Sequence, residues 1–155
     1  MNISADAFLL QEQNTLLAKT DELCSQLGER GFENEKQARI DPETVDQIVA
    51  AGIMKMGVPK RYGGIEVDYE LFPEVSLRLG HACLATSWTI GILLQHNMQM
   101  GLFSQEAQDE FWAHGPSTFA PGYIIPGGTA KAVLGGYRLS GHWRFGSGYP
   151  LGDWI

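Results

Sequence analysis

At 155 residues and 44% apolar content the chain is long enough to bury a core of its own, which excludes a disordered tail. Its formal net charge of −7 comes with few basic clusters, Lys60-Arg61 being the densest, so neither nucleic acid nor an anionic membrane surface is a fitting partner. No stretch approaches the ~20 apolar residues of a membrane span.

Cys24 and Cys83 stand in no metal or redox spacing and read as buried or neutral thiols of a reducing compartment. The run from Met1 to Leu10 lacks the basic start and long apolar core of a secretory signal. The expectation is a soluble, cytoplasmic protein.

In chain order, Leu9, Leu16, Leu17, Leu23 and Leu27 recur at helical spacing and predict a helix from about Phe8 to Arg30, closed by Gly31. Asp41-Pro42-Glu43 is a strong helix start: an acceptor cap, a proline pre-set for the first helical position, and an acid at the positive end of the dipole. That second helix should bury Val45, Ile48 and Val49 and end at Gly52. A third is predicted from about Tyr69 to Leu79, ending at Gly80, and a fourth from about Cys83 to Met100, apolar on most sides. Ser104, with Glu106 and Asp109, opens a short fifth helix.

From Thr118 onward the texture changes to short β-prone runs. Ala130–Leu134 and Tyr137–Ser140 flank Gly135-Gly136, read as a two-residue hairpin turn. Beyond it, Trp143, Phe145 and Ser147 would alternate onto one face of a strand, with Arg144 and Gly146 pointing away. Two aromatic faces and a hydroxyl suit a flat heteroaromatic ring such as a flavin, while ordinary sheet core is the alternative. Asp153-Trp154-Ile155 reads as the start of another strand, with an open edge that more chain or a partner would cover.

Neither a dinucleotide fingerprint nor a P-loop is present, and His81, His96, His114 and His142 show no metal-ligand spacing. His96 lies eight positions after Trp88 on the fourth helix, an offset of about 80°, so the two share a flank two turns apart. It reads either as a satisfied structural histidine or as an imidazole beside a cofactor.

Taken together, these segments resemble the acyl-CoA dehydrogenase superfamily from about residue 10 onward. The likeness rests on Ala38-Arg39-Ile40-Asp41-Pro42-Glu43, on the run from Ala51-Gly52-Ile53 to Arg61-Tyr62-Gly63-Gly64, on Gly135-Gly136-Tyr137-Arg138-Leu139-Ser140-Gly141-His142-Trp143, and on Asp153-Trp154. Within it, Phe119-Ala120-Pro121-Gly122 and Trp143-x-Phe145-x-Ser147-Gly148 are more similar to the flavin-dependent monooxygenases of two-component systems than to the dehydrogenases.

The resemblance implies an α+β fold: an N-terminal all-α helical domain over residues 1–116, then residues 117–155 as the first strands of an incomplete β-barrel-like domain. It implies an oxygenase component that hydroxylates an aromatic or related small molecule with O2 and reduced flavin, FMN or FAD, supplied by a separate flavin reductase. It further implies a homotetramer in a longer chain, because members of the superfamily continue well past this length. By the same resemblance Ser147 falls near flavin N5, Phe145 borders the ring, Gly122 is where backbone approaches it, His96 is catalytic and Trp88 meets substrate. The 51-residue step from His96 to Ser147 matches that pattern. Two alternatives stay open: an acyl-CoA dehydrogenase passing hydrogens from an acyl thioester to FAD, and a non-catalytic fragment that binds a partner.

Overall fold

The computed structural model describes residues 5–154. Five helices, α1 (Ala5–Gln37), α2 (Pro42–Ala51), α3 (Leu71–Ala82), α4 (Leu84–Met100) and α5 (Gln105–Phe111), precede a hairpin of β1 (Gly128–Val133) and β2 (Gly136–Gly141). The architecture is mainly helical with a two-stranded antiparallel sheet, as the sequence predicts.

Helix α1 does not stop at Gly31 but runs on to Gln37. A glycine inside a helix costs about 1 kcal/mol relative to alanine, and tertiary contact overrides so small a preference. Here the flank of α1 bearing Gly28 and Gly31 packs against Ala82 and Cys83 at the α3–α4 junction. Termination comes at Ala38, in the left-handed region with φ +50. Ala38 N–H donates to Glu35 O and Arg39 N–H to Asn34 O, the two bonds that close a helix end of this kind.

The buried Asn34 then accepts from Asp41 N–H through Oδ1, handing the chain to α2. There Asp41 caps Thr44 N–H and Pro42 occupies the first turn, while Gly52, at φ +86, closes the C-terminus. Both signals act as read. Ile48 is fully buried, with Val45 and Val49 packed at the edge of the core.

Helix α3 begins two residues later than read and passes through Gly80 to Ala82. Gly80 packs against Ser87 of α4, and Ser87 Oγ donates to Ser76 O across the junction. Only Cys83, in extended conformation, separates α3 from α4. Leu16, Leu23 and Leu27 of α1, Val75 and Leu79 of α3, and Ile90, Leu93 and Leu94 of α4 meet in one core with Ile48, Ile53, Met54 and Met56. Each fully buried side chain of this size contributes about 1.5–3 kcal/mol.

The hairpin pairs Gly128 with Gly141 through to Val133 with Gly136. That register puts Leu134-Gly135 at the tip, one residue before the Gly135-Gly136 turn read from the sequence, with Gly135 at φ +83 and Gly136, paired with Val133, at φ +157. Both strands are exposed on both faces within this chain.

Past the hairpin, residues 143–147 do not form the expected strand. Phe145 has φ +62, which breaks the alternation that would have set Trp143, Phe145 and Ser147 on one face. Asp153 and Trp154 are not strand residues either: both their N–H groups donate to Phe119 O. Ile155 lies outside the described residues.

Candidate flavin site

Helix α4 supplies the fixed wall of the site. Its Ile90, Leu93 and Leu94 are locked in the core, which directs Trp88 and His96 toward the segments 118–123 and 145–148. His96 Nδ1 lies 2.7 Å from Ala120 O. A carbonyl oxygen only accepts, so Nδ1 carries a proton, and the neutral ring then presents a lone pair at Nε2. Among the described residues Nε2 has no hydrogen-bond partner.

The imidazole sits against Gly122, where a Cβ would fall 2.8 Å from Cε1 and 3.0 Å from Nε2. Only glycine permits that approach. The next turn of chain crosses at the same place: Gly146 is pressed on the ring of Tyr123, so a side chain there would collide with it, and Gly148 lies over Leu93.

Trp88, 64% exposed, donates its indole N–H to Ser147 Oγ at 3.3 Å. Ser147 thereby spends an acceptor lone pair, and its own O–H proton has no acceptor among the described residues. Phe145 is 81% exposed and holds its left-handed backbone, a conformation costing a non-glycine residue about 1–2 kcal/mol. Ala38 and Glu66 share this backbone region, so the strain alone does not single out Phe145.

Four of the five residues singled out in the sequence fall in two contacting pairs, His96 with Gly122 and Trp88 with Ser147. Phe145 stands two residues from Ser147, its ring unburied. Three further participants are not singled out by the sequence as site residues, although two of them lie in the phrases that carry the resemblance: Ala120 through its carbonyl, Tyr123 under Gly146, and Asp153, whose Oδ2 accepts from Phe119 N–H at 2.9 Å. Among the described residues no group of His, Cys, Asp and Glu could hold a metal ion, and no helix is long and apolar enough to cross a membrane.

Residues 11–115 match the family described as acyl-CoA dehydrogenase, N-terminal domain. The chain belongs to that family. Among family relatives, the flavin-dependent monooxygenase oxygenase subunit HsaA of Mycobacterium tuberculosis is 33% identical over 144 residues, 93% of this chain and 36% of HsaA. The crystal structure of HsaA superimposes with a TM-score of 0.87 over 91% of this chain and 38% of that one. The oxygenase component of p-hydroxyphenylacetate 3-hydroxylase from Acinetobacter baumannii is 30% identical over 86% of this chain and 32% of its own length. XiaF from a Streptomyces species, solved in complex with FADH2 and glycerol, gives a TM-score of 0.90 at 26% identity, over 97% of this chain and 38% of that one. The chain thus spans about a third of the length of these family relatives.

The residues present fit a reduced flavin. An exposed Phe145 face and the Trp88 indole suit stacking on a tricyclic ring, and the uncommitted Ser147 proton suits a polar ring atom. The backbone at Gly122 has no side chain to hold a ligand off.

Proposed function

We propose that this chain carries the flavin-facing part of the oxygenase component of a two-component monooxygenase, one that hydroxylates an aromatic or related small molecule. The observation that carries the reading is the Trp88–Ser147 pair set beside the strained, exposed Phe145. It is supported by the likeness to HsaA and p-hydroxyphenylacetate 3-hydroxylase, both oxygenase components, and by the FADH2 bound to XiaF.

In this reading Phe145 borders the ring of a reduced flavin, FADH2 or FMNH2, Ser147 holds a polar ring atom near N5, and the Gly122 backbone comes against the cofactor. Bound there, the reduced flavin would supply the two electrons with which one oxygen atom of O2 goes to the substrate and the other leaves as water. Trp88 lines the substrate side. His96, with Nδ1 tied to Ala120 and Nε2 bare, accepts the proton of an aromatic hydroxyl as the ring is activated. A preset acceptor needs no reorganisation when charge develops.

A separate flavin reductase provides the reduced cofactor, and the working assembly is a cytoplasmic homotetramer. Residues 1–116 form its helical domain and residues 117–155 open a β domain. The test is hydroxylation of a phenol under labelled O2, with a reductase regenerating flavin. One labelled oxygen in the product is the expected result. Anaerobic reduction of FAD by an acyl-CoA, with no oxygenated product, would overturn the proposal.

A further inference from the structure

Two segments far apart in the chain are tied together behind the site. Phe119 N–H donates to the carboxylate Oδ2 of Asp153 at 2.9 Å, and Phe119 O accepts from Asp153 N–H at 2.8 Å and from Trp154 N–H at 3.2 Å. Both polar groups of the buried Phe119 backbone are therefore spoken for by residues 153–154. The next residue is Ala120, whose carbonyl meets His96 Nδ1. The carboxylate holds the 118–119 peptide plane and the two N–H groups hold the 119–120 plane, so the backbone leading into Ala120 is fixed and its carbonyl can turn only about the torsions of Ala120 itself.

We infer that Asp153 is a positioning residue for His96: by holding Phe119 it aims the Ala120 carbonyl at Nδ1, fixes the proton there and leaves Nε2 as the bare nitrogen facing Gly122. Asp153 is itself exposed and its side chain reaches the site only through backbone. The ring has no other anchor among the described residues, since Gly122 offers it contact without a hydrogen bond. Removing the Asp153 carboxylate leaves the Phe119 N–H without its acceptor while the two bonds to Phe119 O remain; the loosened backbone weakens the Nδ1 bond and lets the proton redistribute to Nε2, which would turn the acceptor facing the site into a donor. What the bare nitrogen serves rests on the flavin-site reading above; the coupling itself does not.

The experiment is long-range nitrogen–proton NMR of the imidazole rings in the flavin-free chain, with His96 assigned by His96→Gln. Spectra are recorded about two pH units above the ordinary imidazole value, where rings are neutral. The parent chain should show His96 protonated at Nδ1. Asp153→Ala should move the proton ratio toward Nε2 by about fivefold, the equilibrium equivalent of one ordinary net hydrogen bond. Asp153→Asn, which keeps an acceptor oxygen, should restore the parent ratio.

An Nε2–H ring in the parent, or a ratio unchanged in a folded Asp153→Ala chain, overturns the inference. Should the alanine chain fail to fold, the parent and asparagine chains decide: an Nδ1–H ring in both supports it, and an Nε2–H ring in either overturns it. Loss of reduced-flavin binding with the ratio as expected would sink the functional reading alone.

Discussion

Phe145 offers a test in which stability and binding should move in opposite directions. Its φ of +62 places Cβ where an L-residue is disfavoured by about 1–2 kcal/mol, a cost glycine does not bear. Glycine instead raises the entropy of the unfolded chain, worth about 0.4–1 kcal/mol against it relative to alanine. Alanine and glycine both delete the ring, so their difference isolates the strain. Phe145→Gly should be more stable than Phe145→Ala by about 0.5–1 kcal/mol, the remainder of those two terms. Because the ring is 81% exposed, its deletion gives up little burial. Urea unfolding followed by circular dichroism reads the difference as a shift in midpoint at constant slope. Both variants should also bind reduced flavin more weakly than the parent. An alanine variant as stable as the glycine variant would refute the claim that the backbone is strained.

Gly122→Ala should displace His96, cost about 1–3 kcal/mol as overpacking and break the bond to Ala120, which thermal unfolding together with the imidazole NMR spectrum would reveal. The Cys24 thiol is pushed above its ordinary value by burial and then by the Asp21 carboxylate, with Arg78 opposing, so its thiolate is scarce near neutral pH. Iodoacetamide should therefore label Cys24 more slowly than a free cysteine peptide at the same pH; equal rates by mass spectrometry would contradict this. Glu106 is held below the ordinary carboxyl value by its own backbone N–H and then by the Ser104 hydroxyl. A depressed folded value stabilises above the unfolded value and is lost as pH falls through the folded one. Glu106→Gln should accordingly be less stable at neutral pH and match the parent at strongly acid pH.

Local signals were legible wherever the residues that decide an end lie within one turn of it. Asp41, Pro42 and Gly52 bound α2 as read, and the Ser104 hydroxyl accepts Ala107 N–H at the start of α5. Gly31 and Gly80 misled because their neighbours, Cys83 at the α3–α4 junction and Ser87 on α4, arrive from elsewhere in the chain and no spacing announces them. The aromatic alternation of residues 143–147 was real in sequence but ended by one left-handed residue, again a tertiary outcome.

The site divides in the same way. Trp88, His96, Gly122, Phe145 and Ser147 could be named because residue type, helical phase and family phrasing coincide there. Ala120 acts through backbone and Asp153 through a bond 34 residues distant; both lie in the phrases that carry the family resemblance, but those phrases do not show the contacts they make.

The most direct test of the central claim is anaerobic titration of the parent chain and of Ser147→Ala with FADH2 and with FMNH2, followed by tryptophan fluorescence and calorimetry. The account requires saturable binding of at least one reduced flavin by the parent and weaker binding, by about 1 kcal/mol for the lost hydrogen bond, by the alanine variant. Equal affinity in the two chains, or no binding by the parent, would contradict it.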